Sequence, residues 1–427
     1  YMSYYTFIHI LRGNGVAAEQ LKPEFFDYAL NGKGSPESVS KTTGIDTLVL
    51  QKCRESFEYW YGFSSRHSGP DLLWNHLTMY LFNHVTMFDK RFWPSQVIMN
   101  GSVNYEGQKM SKSIGNVIPL VDAISRYGAD PIRFISVAGA DLDTDTDFSA
   151  DSAGGVTSRV DALHRYITRL EDMKSKELGH LDYWLYSKLH SKISAATTSM
   201  DRLEIKAAYT EIFYNSMNEL KWYFDRGGSN ELVVREFLET VALMIAPVMP
   251  HVAEEFWHMF GKTTLIVKEE WPAANQQMIN KEEEAIESII MDTITDVNNT
   301  IALTSKMDAN RSKKVSEVKL IIADDWKTAA YNALAKSKNM GTTMSQDFGV
   351  GKEAVALYLK QFAKRINGMH EMPAISSETI QKAFIEASDY LASKFGCKVV
   401  TEHEKTTKSP RASRALPDKP SIDITWR

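Results

Sequence analysis

The chain has 427 residues, 43% hydrophobic and 24% charged, enough for two or three packed domains and too apolar for large-scale disorder. No apolar run reaches membrane-spanning length and no basic-then-apolar leader opens the chain, so a cytoplasmic protein without membrane attachment is expected. A net charge of −5 gives no global nucleic-acid signal, which leaves any RNA partner to local basic patches. Tyr1 opens directly on an aromatic-rich segment, as in a fragment or one subunit of a split enzyme.

In residues 1–60 an apolar start precedes Phe25-Phe26-Asp27-Tyr28, a turn at Gly32-Lys33-Gly34, and a helix start at Ser35-Pro36-Glu37, where proline fits a first turn that needs no amide donor. A further helical stretch ends in Phe57-Glu58-Tyr59-Trp60-Tyr61. Gly69-Pro70-Asp71 then offers a close backbone approach and a carboxylate acceptor, which suits either an ordinary turn or a ribose site at a strand end. The stretch 77–88, rich in Met79, Tyr80, Leu81, Phe82 and Val85, reads as a helix buried against a sheet. Residues 97–101 read as a strand closed by the small polar turn Asn100-Gly101.

Residues 141–148 alternate four aspartates. They lack the glycine and terminal glutamate of a calcium loop, and are expected to order a turn and cap the next helix. Helical periodicity runs through 157–171, 183–200, 205–224 and 233–249, as in an antiparallel bundle. The prolines of Ala246-Pro247-Val248-Met249-Pro250-His251 end one helix and begin another, which accounts for His251 as a first-turn residue. Beyond Trp271-Pro272, helices are expected over 281–306, 325–337, 353–365 and 378–395, with strands at 318–323, 398–402 and 422–426. This is a small α/β domain with a flexible basic loop, 405–414. Cys53 and Cys397 have no Cys-x-x-Cys partner, so neither zinc nor a disulfide framework is indicated.

The chain is organised around Gln108-Lys109-Met110-Ser111-Lys112-Ser113-Ile114-Gly115-Asn116. Two lysines separated by hydroxyls and backbone amides suit a loop closing on a polyphosphate, but a bare Lys-x-x-Lys is common and by itself reads as a solvated basic loop. Its position between the strand at 97–101 and a short amphipathic helix over 117–127 is a phosphate-site layout. Lys109-Met110-Ser111-Lys112-Ser113 is letter for letter the signature loop of class I aminoacyl-tRNA synthetases, and Asp122-Ala123-Ile124 with 126–134 resembles that family's continuation. Residues 1–60 resemble the part of archaeal and eukaryotic leucyl-tRNA synthetases that rejoins the catalytic core after the editing insertion. The proline bend resembles that of the Leu, Ile, Val and Met synthetase bundles, and Asp418-Lys419-Pro420-Ser421-Ile422 the archaeal-type leucyl ending. His9-Ile10-Leu11-Arg12 is not the family's His-Ile-Gly-His motif and reads as helix.

The resemblance implies an α/β Rossmann-type catalytic half (1–140), an α-helical bundle approaching the anticodon stem (141–272) and a small α/β tRNA-binding domain (273–427). It implies Lys109 and Lys112 as catalytic, with Gly69, Asp71, Asn100, Gly101, Met110, Ser111 and Ser113 binding ATP. Lys405, Lys408, Arg411 and Arg414 are implied as tRNA contacts. ATP with Mg²⁺, leucine and leucine tRNA would be the substrates. The opposing His-Ile-Gly-His motif and the editing domain would come from an N-terminal half or subunit. A non-catalytic tRNA-binding paralogue, or an Ile, Val or Met relative, is the alternative.

Overall fold

The computed structural model describes residues 2–62, 65–306 and 313–427; Tyr1, on which the expectation of an abrupt start falls, lies outside them. Two compact units emerge: Tyr1–Gly155 with Leu203–Lys206, and Val156–Arg202 with Ala207–Arg427.

The first unit begins with helices. Pro23–Asn31, Pro36–Thr43 and Thr47–Trp60 enclose Phe7, Phe25, Leu50, Cys53 and Phe57, all fully buried. Ser35 accepts from the Ser38 amide at 3.2 Å and Pro36 opens the helix, as the sequence motif predicts. His9 lies within the helix Ile8–Gly13. Burial pushes the Cys53 thiol up to about 12, so it stays protonated and inert.

Two small sheets follow. Strands β1 (Arg66–Ser68) and β2 (Val97–Met99) pair in parallel, with His67 opposite Ile98. Strands β3 (Val103–Tyr105) and β4 (Gln108–Lys109) form an antiparallel hairpin, and β5 (Thr146–Phe148) lies parallel to β3 on its other side. The hairpin turns at Glu106 and Gly107, both at positive φ (50° and 75°), the geometry whose twist matches the flanking strands.

One expectation fails here. The helix Thr78–Met87 is not buried: Met79, Phe82 and Val85 are 63%, 68% and 53% exposed. A parallel sheet that covers a helix face needs more than the β1–β2 pair, and among the described residues nothing else covers these side chains. His84 is the one buried residue of the helix, hydrogen-bonded to the Tyr61 hydroxyl (2.6 Å) and the Tyr80 carbonyl (2.7 Å).

In the second unit, His180–Asp201, Ser216–Asp225, Glu231–Ile245 and Pro250–Met259 pack around Trp184, Leu189, Phe213, Tyr223 and Phe237. A π-helical turn, Thr210–Asn215, interrupts what periodicity reads as one helix. Further on, strand β6 (Val315–Ile322) is central, parallel to β7 (Lys398–His403) and antiparallel to β8 (Ser421–Trp426). The helices Lys281–Thr304, Ser377–Glu386 and Ser388–Phe395 bury Ile290, Phe384 and Leu391 with Val318 and Leu320. Between β6 and Ser377, the helices Asp325–Ser337, Met340–Met344 and Lys352–Lys360 form an excursion with its own core of Leu334, Tyr358, Leu359 and Phe362.

The loop 405–414 is tied down, against the expectation of flexibility. Ser409 donates to Asp423 (2.6 Å), Arg411 donates to the Ile422 carbonyl (2.9 Å), and Lys405 pairs with Asp324 at 2.9 Å. Buried Lys327 reaches the carbonyls of Ser413 (3.1 Å) and Ala415 (2.9 Å). Composition reported charge, whereas these partners come from β8 and from the start of the helix Asp325–Ser337.

Candidate functional site

The signature loop hangs from the β3–β4 hairpin, and the hairpin is held by the acidic run. Asp145 accepts from the Ser102 amide and Asp147 from the Gly107 amide, both at 2.7 Å. Their period-2 spacing places both carboxylates on the same edge of the chain entering and forming β5. The predicted cap is made by other residues: Ser149 and Ser152 exchange side-chain-to-amide bonds of 3.1 and 3.0 Å ahead of the helix Ala150–Arg169. The aspartates therefore anchor the loop's support.

Within the loop, Asn116 closes a ring. Its Oδ1 accepts from the Ser111 amide at 2.7 Å and its Nδ2 donates to the Lys109 carbonyl at 3.1 Å. The Ser111 and Ser113 hydroxyls lie 2.8 Å apart, and the Ile114 and Gly115 amides both reach the Ser111 carbonyl. Gly115 sits at φ +77°, a conformation that favours glycine. Lys112 is exposed, with no ion-pair partner among the described residues. Met110 turns inward, lining an apolar hollow of about 260 Å³ with Val103, Tyr105, Ile118, Leu120 and Phe148. The following helix begins at Leu120, three residues after the predicted start, because Pro119 and the extended chain before it lie outside the helix.

Of the strand-end residues, Asp71 reaches this loop. Gly69 follows β1, and a side chain there would meet open space, so no packing demand of the described residues explains the glycine. Asp71, two residues on, lies 3.9 Å from Lys109, both side chains well exposed. Asn100 follows β2 and donates its amide to the Ser68 carbonyl at 2.9 Å, bringing the two strand ends together. Gly101 has a packing reason to be glycine: a Cβ there would overlap the Thr144 carbonyl. Asn100 and Gly101 line a hollow of about 360 Å³ together with His67, Ser136, Asp141, Leu142 and Thr144.

Lys109 and Asp71 thus meet, the strand ends carrying Gly69 and Asn100 adjoin, and Met110 lines an apolar hollow. Lys405 and Arg411 are neutralised by Asp324 and Asp423, while Lys408 and Arg414 are exposed without an ion pair among the described residues. Sequence reasoning did not single out Asn116, Asp145, Asp147 or His67 as site residues. The alternation of Asp145 and Asp147 was the available signal for two of them.

Comparison with known proteins gives matches over most of the chain. Residues 38–149 match the family described as tRNA synthetases class I (I, L, M and V), and residues 182–319 match the anticodon-binding domain of tRNA ligase. The chain is 31% identical over 445 residues to the leucine–tRNA ligase of Staphylothermus marinus, covering 99% of this chain and 44% of that protein. With the leucine–tRNA ligase of Ignicoccus hospitalis it shares 32% identity over 392 residues, 89% of this chain and 38% of the relative. It therefore spans less than half the length of these curated relatives. A solved Agrobacterium radiobacter K84 LeuRS–tRNA–LeuAMS complex aligns over 70% of this chain and 34% of its own, at 19% identity and a TM-score of 0.46, a likeness too loose to decide anything further. The loop, the two family segments and the near-complete alignment agree: the chain belongs to the class I tRNA synthetases, as a part similar to the C-terminal half of leucine–tRNA ligases.

Proposed function

We propose that this chain supplies the C-terminal part of a cytoplasmic leucine–tRNA ligase, with a Rossmann-type catalytic half (1–140), a helical bundle (141–272) and a small α/β tRNA-binding domain (273–427). In this reading the leucine carboxylate attacks the α-phosphate of ATP, giving leucyl-adenylate and pyrophosphate, and the terminal ribose hydroxyl of the tRNA then takes the leucyl group. Such a displacement is mainly positioning and charge neutralisation. Lys109 and Lys112 neutralise the leaving pyrophosphate, while Ser111, Ser113 and the loop amides hold its oxygens. Asp71 accepts from the ribose hydroxyls beside Gly69, and Asn100 with Gly101 meets the adenine. Mg²⁺ arrives on the ATP phosphates.

The observation that carries this reading is the meeting of Lys109 with Asp71 at 3.9 Å, joining the phosphate-loop and nucleoside residues in one place. The exposed Trp74, Met79, Phe82 and Val85 support a second polypeptide, or an N-terminal half bearing the opposing histidines and the editing domain, that covers this face. Lys405, Lys408, Arg411 and Arg414 contact the tRNA. Leucine rather than isoleucine, valine or methionine rests on the relatives' identity, since pocket discrimination among aliphatic side chains is small.

The test is ATP–pyrophosphate exchange by this chain mixed with the complementary N-terminal part of a leucine–tRNA ligase. Leucine-dependent exchange on mixing supports the reading, and exchange driven by another aliphatic amino acid redirects it. Binding of tRNA without exchange under any condition would instead make the chain a non-catalytic tRNA-binding relative.

A further inference from the structure

Facing sides of bundle helices are normally filled by apolar side chains, and one interface of the second unit is not. There the helices His180–Asp201 and Lys281–Thr304, with the π-helical turn Thr210–Asn215 and the helix Ser216–Asp225 that continues it, enclose a hollow of about 400 Å³. Of its polar lining, Glu284 is committed: it accepts from Ser187 (2.6 Å), Ser191 (2.8 Å) and Lys281 (3.0 Å). Lys188 is not, since it lies 3.6 Å from Glu219, beyond hydrogen-bond reach, with a third of its side chain exposed. The Glu211 carboxylate is held only by Lys192 at 3.8 Å, and that buried ammonium donates to the Glu211 carbonyl at 2.7 Å instead. Asn215 and Asn218 make no side-chain hydrogen bond among the described residues. Glu219 is nine-tenths buried on the wall of the hollow; its Oε2 lies 3.0 Å from Lys192 yet outside hydrogen-bond alignment.

We propose that this hollow binds a small zwitterion with an apolar side chain, the chemistry of a free α-amino acid. The unspent groups set that choice. A simple anion entering the hollow would face Glu211 and Glu219, and a simple cation would face Lys188 and Lys192. A ligand of both signs gives its carboxylate to Lys188 and its ammonium to Glu211, with the Asn215 and Asn218 carboxamides completing their hydrogen bonds. Trp184, Trp222 and Met291 supply an apolar wall for the side chain. The π turn is an independent sign of a site: it carries both Glu211 and Asn215, and such turns occur frequently at functional positions. Its extra residue rotates Glu211 by about 100° relative to Asn218 and Trp222 downstream. Lys192 fixes that register from the neighbouring helix through the Glu211 carbonyl. The hollow belongs to the second compact unit and the signature loop to the first, so this site is separate from the one proposed for catalysis and the inference goes beyond the ligase reading.

The test is isothermal titration calorimetry of the full chain with leucine, methionine and phenylalanine. Leucinol, which lacks the carboxylate, and 4-methylpentanoate, which lacks the ammonium, serve as analogues of one sign. At least one amino acid is expected to bind saturably, and both analogues at least about tenfold more weakly, each having lost a charge-assisted hydrogen bond. Lys188→Met and Glu211→Gln should each weaken the amino acid by at least about tenfold, while the distant control Lys398→Gln changes it less than about twofold, with circular dichroism confirming that all three fold. No saturable binding up to about 20 mM overturns the proposal, as does equal binding of the analogues. Amino-acid binding that both hollow variants leave unchanged also overturns it, by placing the ligand elsewhere on the chain. ATP–pyrophosphate exchange reads the ligase reading separately, and a failure here leaves that reading standing.

Discussion

The Lys109 ammonium lies 3.9 Å from the Asp71 carboxylate, and the two side chains are 70% and 84% exposed. An ion pair so open to water contributes close to nothing to stability, so both groups are available to exchange each other for a ligand. Asp71→Ala is accordingly expected to leave the unfolding free energy within about 0.5 kcal/mol of wild type while raising KM for ATP in the assembled enzyme. A large loss of stability, seen by urea denaturation, would show the pair to be structural.

Lys112 has no partner among the described residues to lose, so its replacement isolates the effect on chemistry. Lys112→Ala should slow leucine-dependent ATP–pyrophosphate exchange by roughly two to three orders of magnitude, the usual cost of removing a transition-state charge partner. Unchanged exchange would remove Lys112 from the catalytic role.

Asn116 makes two hydrogen bonds that close the loop. Each is worth about 1 kcal/mol net, enough to shift a short exposed loop between ordered and open forms. Asn116→Ala should speed hydrogen exchange at the Ser111 amide and weaken ATP binding. Asn116→Asp keeps the acceptor and should preserve Ser111 protection while releasing the Lys109 carbonyl.

Gly101 tests packing rather than binding. The Cβ of Gly101→Ala would overlap the Thr144 carbonyl, and backbone cannot rotate away as a side chain does. A destabilisation of about 1–3 kcal/mol is expected from such overpacking, measured by urea denaturation with a probe in the first unit.

His180 gives a pH prediction. Burial disfavours its charged form, but hydrogen bonds to Glu283 and Glu287 outweigh that and raise its pKa from the ordinary 6.5 to about 9. Glu287 is also bonded by Arg226 at 3.1 Å and by the Trp222 indole at 2.7 Å. A pKa raised on folding adds stability that is complete below 6.5 and is lost as pH rises through about 9. Thermal stability of the second unit should therefore fall between neutral pH and about pH 9.5, and His180→Gln should flatten that slope. A wild-type profile flat over this window would contradict it.

Much was legible along the chain because its signals are local. Ser35-Pro36, the helix around His9, the strand Val97–Met99 and the Lys109-to-Ser113 loop are set by capping, periodicity and residue identity within a few positions. The exposed face of Thr78–Met87 was misread because apolar periodicity says that a face wants cover without saying whether cover is present. The loop 405–414 was misread because composition counts charges and not their partners.

The sequence by itself determined the signature loop, its family and the groups proposed to act on phosphate, since these depend on residue types at fixed spacing. Only the tertiary structure decided that Asp71 meets Lys109, that Asp145 and Asp147 hold the hairpin, that Asn116 closes the loop, and which cations remain unmatched. Apart from the Asn116 ring, which closes within the loop itself, these are distances between segments remote in the chain. Such distances are set by the packing of strands and helices around shared cores, which no local window of sequence contains.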